Sequence, residues 1–252
     1  MSFGVDFHFN GGNFLIVGAS SGIGRQIAED IVNGGGTVLA IARNKERLSM
    51  LQGIDPTSIH TVSVDVRDVD TLEQAVSDFV VRNGKIHGSV YTAGISRVTP
   101  LKSHLESETK EIMDINYWGF VYLMKILNRR KYSVDGCSHV VISSVAGHTG
   151  EAGNFAYSAS KAAIINSVRT FAKEIYKRGN RINSISPGFV NTALSEGFFE
   201  NRGLSERTKE KHLLGFGEST DISGIALFLL SDCSRWVTGQ DFVIDGGYLV
   251  GN

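Results

Sequence analysis

Tyr157 and Lys161 lie four residues apart in "AYSASKAA" (156–163), where every other residue is alanine or serine. Residues at i and i+4 of a helix are neighbours on one face. The spacing therefore sets a phenol beside an ammonium. A free phenol ionises near pH ~10, too high for proton transfer at neutrality, and an adjacent cation favours its charged form. Bringing that value to about 7 takes roughly 4 kcal/mol, which one ammonium and a second positive charge could supply in a sheltered site. The chemistry on offer is general acid–base transfer of a proton to or from a substrate oxygen. On spacing alone, a surface contact explains the pair equally simply.

Two further features give the pair a context. "SHVVISS" (138–144) reads as a strand that ends thirteen residues before the tyrosine. Ligands bind at the carboxyl ends of strands in open α/β sheets. Ser144 is placed there to hydrogen-bond a substrate carbonyl, with Ser143 as its rival or as a cap of the strand end. "VGASSGIG" (17–24) follows the first predicted strand and opens the first predicted helix. Gly18, Gly22 and Gly24 permit a tight turn and a close backbone approach, and the helix N-terminus offers free N–H groups to a pyrophosphate. A dinucleotide is the ligand this turn suggests. Strand two ends "LAIARNKER", with Ala42 where a carboxylate would hold a ribose hydroxyl and Arg43 next to it. An arginine fork binds a 2′-phosphate, which points to NADP rather than NAD. Arg25 and Lys45 would add to that positive field. Asp65 after the third strand is a candidate partner for the adenine amino group, with the Val66 N–H beside it, or else a turn cap.

The elements that must position these groups are legible as alternating runs. Apolar stretches at 14–19, 37–43, 59–66, 88–94, 138–144, 181–188 and 241–247 read as seven strands. Helical spacing falls between them at 23–33, 71–82, 104–131, 156–178 and 220–231. "GGG" (34–36) is expected to stop the first helix, since glycine takes the left-handed conformation at a helix end cheaply. Strands alternating with helices imply parallel pairing and a doubly wound α/β sheet. Near-continuous apolar strands fit a sheet covered on both faces. No linker or repeat interrupts the pattern, so residues 1–252 read as one dinucleotide-binding and catalytic domain. The stretch 193–217 is expected to be irregular, a substrate lid carrying Phe198 and Phe199.

Composition excludes several function classes. The chain has 252 residues, 42% of them hydrophobic, with 25 basic and 26 acidic residues. Such a balance gives no reason to expect nucleic acid or an anionic membrane as a partner. Two cysteines make neither a disulfide framework nor, with the histidines, a metal cluster. The start "MSFGVDFHFNGGN" lacks a signal-peptide pattern, and no apolar run is long enough to span a bilayer. A cytoplasmic location is the expectation.

Taken together, the chain resembles the short-chain dehydrogenase/reductase family in its compact single-domain branch, and within it the 3-oxoacyl-carrier-protein reductases. The resemblance rests on Gly18-Ala19-Ser20-Ser21-Gly22-Ile23-Gly24, Asp65-Val66, Ala93-Gly94, Asn116, Ser143-Ser144, Tyr157-Ser158-Ala159-Ser160-Lys161, Pro187-Gly188 with Thr192, and Thr238-Gly239-Gln240 with Asp245-Gly246-Gly247. It implies that Tyr157 is the general acid in carbonyl reduction and the base in the reverse direction. Lys161 would hold the nicotinamide ribose and lower the tyrosine pKa. Ser144 would position the carbonyl, and Asn116 would help hold a relay water. Ala93, Gly94, Pro187, Gly188, Val190 and Thr192 would line the cofactor. Val17, Thr92, Asn191 and the absence of proline in "FGESTDIS" (216–223) depart from the family pattern without removing a catalytic group. The resemblance further implies a homotetramer or homodimer. A sugar, steroid or other alcohol dehydrogenase is the alternative on the same scaffold, and a non-catalytic NADP-binding sensor the alternative of another class. Substrate choice should come from "ISRVTPL" (95–101) and "NTALSEGFFENRGL" (191–204). The basic cluster "NRRKYS" (128–133) is either a docking point for an acidic acyl carrier or a helix-end complement to the dipole.

Overall fold

The structure is a computed structural model and describes residues 5–193, 195 and 202–251. Along β1 (Asn13–Val17) all five residues are buried, and successive side chains enter two different cores. Leu15 and Val17 join one hydrophobic cluster; Phe14 and Ile16 join the other. That split follows from the two-residue side-chain period of a strand with helices on both faces.

Six further strands flank it: β2 (Thr37–Ala42), β3 (Ile59–Ser63), β4 (Ile86–Tyr91), β5 (Ser133–Ile142), β6 (Arg181–Pro187) and β7 (Asp241–Ile244). They form one seven-stranded sheet in the order β3-β2-β1-β4-β5-β6-β7. Every pairing is parallel. This is the doubly wound Rossmann-type arrangement that the alternation predicts. The order reverses between β1 and β4, which opens a crevice at the carboxyl ends of both.

The helices include α1 (Gly22–Asn33), α2 (Lys45–Gln52), α3 (Val69–Asn83), α4 (Glu106–Met113), α5 (Gly119–Leu127), α6 (Phe155–Ile175), α7 (Arg202–Lys211) and α8 (Ser219–Leu230). Sequence reading differs from these in three places. α2 was not anticipated, because its eight residues carry only Leu48 and Leu51 as buried positions. The expected helix 104–131 is interrupted by a π-helical turn over Asp114–Trp118. α7 lies inside the stretch expected to be irregular. The glycine run does stop the first helix: Gly34 caps it with an ordinary φ of −81°, and Gly35 takes φ +83°. A Cβ on Gly35 would collide with the Asn10 side chain, so both shape and conformation call for glycine there.

Candidate active site

The crevice is a cleft of about 780 Å³, near the upper end of the range for small-molecule sites, ~300–1,000 Å³. Every residue singled out from the sequence as a ligand or catalytic group lines it except Asn116. One end is built on α1. Gly18 leaves β1 with φ +93°, and a Cβ there would lie 2.6 Å from the Ala93 nitrogen. Ser20, Ser21, Gly22, Ile23 and Gly24 continue the wall. Ser21 precedes α1 in an extended conformation and makes no side-chain cap. The first N–H groups of the helix therefore keep their donors for an anion in the cleft. Thr92, a departure from the family pattern, donates its hydroxyl to the Val17 carbonyl at 2.9 Å and so ties β4 to the start of this turn.

Arg43 ends β2 and Arg47 lies in the first turn of α2; both line the cleft. Arg47 was missed from the sequence. Its placement depends on Asn44, whose side chain accepts the Arg47 N–H at 2.7 Å and caps α2. Both guanidinium groups are exposed, and neither forms an ion pair among the described residues. Arg25 points its charge elsewhere, pairing with Glu29 at 2.7 Å. Asp65 performs the turn-cap role: it accepts the Arg67 N–H at 3.0 Å and pairs with the guanidinium at 2.6 Å. The Arg67 hydrogen bond holds its carboxyl at about 2, well below the usual carboxylate range. Val66, Ala93 and Gly94 follow along the same wall.

The other end gathers the reacting groups. Ser144 follows β5 and lines the cleft with Tyr157; its Oγ accepts the Ala146 N–H at 3.2 Å. Ser143 takes the other role. Its side chain is buried and donates to the Lys161 carbonyl at 2.9 Å, pinning the strand end to α6. The Lys161 ammonium lies 5.5 Å from the centre of the Tyr157 ring and donates to the Ile142 carbonyl at 2.8 Å. It is 4% exposed, and burial pushes its pKa down to about 8. The Tyr157 phenol is pushed up by burial, with the Ser144 hydroxyl acting the other way. The lowering expected from the Tyr/Lys spacing is thus not what these surroundings produce, because burial dominates and the ammonium sits over the ring and bonds a strand carbonyl. Tyr157 is accordingly a protonated acid at neutral pH.

Asn116 stands one layer behind. It is fully buried in the π-turn. Its side chain accepts the Ile95 N–H at 2.8 Å, donates to the Ile95 carbonyl at 3.0 Å and reaches Ser160 at 3.1 Å. The amide thereby fixes the loop after β4 to the helix that carries Tyr157. A Cβ on Gly94 would fall 3.3 Å from the Asn116 oxygen and 3.7 Å from the Lys161 nitrogen. Glycine keeps that space open beside the ammonium. Pro187, Gly188, Val190 and Thr192 close the cleft from the end of β6.

The substrate end joins two loops. Thr99 donates its N–H to the Gly153 carbonyl at 2.7 Å, and Ser96 donates to the Asn154 side chain at 3.2 Å. Ser96, Glu151 and Asn154 line the cleft, as do Phe189 and Ser195. Ser96 and Ser195 belong to the two loops expected to choose the substrate, whereas Glu151, Asn154 and Phe189 were not anticipated, since loop residues carry no periodic signal. Phe198 and Phe199 lie outside the described residues. The basic cluster is partly paired: Arg129 and Lys131 share Glu73, and Arg130 shares Asp135 with Arg178. Among the described residues no group of His, Cys, Asp and Glu could hold a metal ion, and no helix is long and apolar enough to cross a membrane.

These features fit a dinucleotide. Uncapped N–H groups face one end, unpaired arginines stand where a phosphate would lie, and a glycine leaves room beside Lys161. Comparison with known proteins agrees with this. The profile of a family described as enoyl-(acyl carrier protein) reductase matches residues 18–249. A 3-oxoacyl-[acyl-carrier-protein] reductase of Thermotoga maritima is 34% identical over 245 residues, covering 94% of this chain and 97% of that protein. A short-chain dehydrogenase/reductase of Botryotinia fuckeliana is 30% identical over 246 residues, covering 92% and 95%. A Brucella melitensis structure titled short-chain dehydrogenase/reductase, glucose/ribitol dehydrogenase, superposes with a TM-score of 0.92 at 26% identity, covering 97% and 99%. One from Mycobacterium ulcerans, a short-chain type dehydrogenase/reductase, gives 0.91 at 30%, covering 96% and 91%.

Proposed function

The chain belongs to the short-chain dehydrogenase/reductase family, and on that premise we propose that it reduces a ketone carbonyl to a secondary alcohol with NADPH. The observation that carries this reading is that the Ser144 and Tyr157 hydroxyl-bearing side chains line the same cleft at the carboxyl end of β5, with the Lys161 ammonium beside the tyrosine ring. The bound nicotinamide would supply the hydride. Ser144 and Tyr157 hold the carbonyl oxygen between them, and Tyr157 gives that oxygen its proton as the alkoxide develops. Lys161 holds the nicotinamide ribose hydroxyls and keeps a positive charge beneath the ring. Asn116 is a positioning residue, holding the Ile95 loop so that Gly94 faces Lys161. The relay-water role assigned to Asn116 would fall to the backbone of its π-turn, since its side-chain amide hydrogens are both engaged.

The adenosine end follows from Arg43 and Arg47, which would grip a 2′-phosphate. Asp65 would meet the adenine amino group through the lone pairs left by Arg67, with the Val66 N–H beside it. Gly18, Ser20, Ser21, Gly22, Ile23 and Gly24 would cradle the pyrophosphate. Ala93, Pro187, Gly188, Val190 and Thr192 would line the remainder. Together with the described part of 193–217, this makes residues 1–252 one catalytic domain with a lid.

The matched family profile is described as an enoyl reductase, whereas relatives from Thermotoga maritima and Staphylococcus aureus are called 3-oxoacyl reductases. The two differ in whether a C=C or a C=O bond is reduced. Two hydroxyls converging on one acceptor favour the C=O bond, because there the proton ends on oxygen. A 3-oxoacyl thioester is the first substrate class to try. Oxidation of NADPH should be followed with acetoacetyl and crotonyl thioesters and a panel of ketones. Turnover of acetoacetyl thioester or a ketone, lost by about 10³-fold in Tyr157→Phe with NADPH affinity retained, is the expected result. Turnover of crotonyl thioester alone would overturn carbonyl reduction. NADPH binding without any turnover would establish a sensor. Arg43→Ala with Arg47→Ala should abolish the preference for NADPH over NADH; an unchanged preference would sink the 2′-phosphate assignment.

A further inference from the structure

Glu151 brings a carboxylate to the reacting end of the cleft, where the mechanism above has no use for one. The other cleft-lining charges are accounted for: Arg43 and Asp65 follow β2 and β3, Arg47 stands in the first turn of α2, and Lys161 lies over the Tyr157 ring. Glu151 is held at two points. Its backbone N–H donates to the Ser158 hydroxyl at 3.2 Å, which fixes residue 151 against the turn of α6 that bears Tyr157. Its Oε1 accepts the Tyr248 hydroxyl at 2.9 Å, reaching across from the C-terminal segment. Tyr248 is 6% exposed, and burial, with the Glu151 contact, raises its pKa to about 12, so the phenol keeps its proton and acts as a donor. No described residue bonds Oε2. One oxygen is thus clamped, and the other has no partner among the described residues in a side chain that lines the cleft.

An oriented carboxylate oxygen in a partly covered site asks for a hydrogen-bond donor. A purely alkyl chain supplies none and leaves the oxygen desolvated. An anionic neighbour would be repelled. We propose that Glu151 is a specificity-determining residue whose carboxylate accepts a hydrogen bond from a hydroxyl one or two carbons from the substrate carbonyl, so that the enzyme prefers hydroxyketones to alkyl ketones of the same shape. This rests on the carbonyl-reduction reading. Tyr248 is the positioning residue that aims the carboxylate.

Hydroxyacetone, butanone and pyruvate form a matched set in which one end of a small ketone is a hydroxyl, a methyl or a carboxylate. Their kcat/KM values with NADPH test the assignment, with acetoacetyl thioester as the control for reduction itself. The wild type should favour hydroxyacetone over butanone by about ten- to a hundred-fold, the range of a hydrogen bond to a charged group, and reject pyruvate. Glu151→Leu should bring the ratio near one and admit pyruvate, with Glu151→Gln in between. Tyr248→Phe should reduce the ratio by raising KM for hydroxyacetone more than it lowers kcat. Melting temperatures check that each variant is folded. A wild-type ratio near one, or a ratio that survives Glu151→Leu, overturns the assignment. So does turnover of acetoacetyl thioester without turnover of hydroxyacetone, which leaves the reduction reading standing. Failure of every carbonyl with the wild type overturns that reading and the assignment together.

Discussion

Ser143 and Ser144 are adjacent hydroxyls with opposite surroundings. Side chains alternate between faces at a strand end, so one turns into the core to bond the Lys161 carbonyl and the other turns into the cleft to meet Tyr157. Ser144→Ala should therefore lower kcat by roughly 10²-fold, the effect of removing one donor from a developing oxyanion, with little change in stability. Ser143→Ala should do the reverse, costing about 0.5–1.5 kcal/mol of folding free energy through the lost buried hydrogen bond that ties the strand end to α6. Urea denaturation and steady-state kinetics on the two variants separate these outcomes. Lys161 sets a pH limit. Its ammonium is charged below about 8 and neutral above. Reduction should therefore weaken as pH rises through that value, seen as an alkaline limb in kcat/KM for NADPH; a flat profile to pH 10 would count against a charged Lys161. The stability sign is opposite. The folded pKa lies below the unfolded value of ~10.4, so the charge costs stability below pH ~8. That cost is relieved between ~8 and ~10.4, and wild type should gain stability relative to Lys161→Met across that window.

At the scale of elements, the π-turn is the least expected feature. A wide turn breaks the i, i+4 ladder and is often found at functional sites. Here it turns Asn116 inward to grip both backbone groups of Ile95. Tyr91 takes the Ile115 carbonyl through its hydroxyl. Asn116→Ala would leave those Ile95 groups unpaired. The expected outcome is a loss of about 1–3 kcal/mol in urea unfolding and a fall in kcat, because the Gly94 loop loosens beside Lys161. Normal kcat with lowered stability would show that the clamp has only a structural part. The apolar runs made all seven strands legible, and boundaries moved by a few residues. β5 begins five residues earlier than expected, because Asp135 and Gly136 disguise its first half as a turn. No comparable signal marks the π-turn: its residues keep helical spacing, and only contact with Tyr91 and Ile95 shows the change in pitch.

At the scale of the molecule, a question remains about the outer faces of the helices beside the cleft. Trp118 is 43% exposed and Phe155 39%, near Leu105 at 60%. Exposed large apolar side chains on helices are candidates for a partner surface. We propose that this face pairs with a second copy of the chain as part of a homotetramer. Sedimentation velocity at micromolar concentration should show four times 27.3 kDa, and Trp118→Arg should shift the distribution to smaller species. A monomeric wild type would overturn the proposal.

The glycine turn, the Tyr-x-x-x-Lys spacing and the strand–helix alternation are local patterns, and local patterns are set by backbone sterics and side-chain period. They sufficed for the parallel sheet, the family and the line of the cleft. Tertiary structure decided which serine meets the tyrosine, that Asn116 stands behind the cleft wall, that Arg67 engages Asp65 and that Arg47 stands with Arg43. It also set the sign of the Tyr157 shift, because desolvation depends on everything packed around the ring. Glu151 shows the difference most plainly. In sequence it is one acidic residue in a loop, and only the return of Tyr248 from the far end of the chain turns it into an aimed carboxylate.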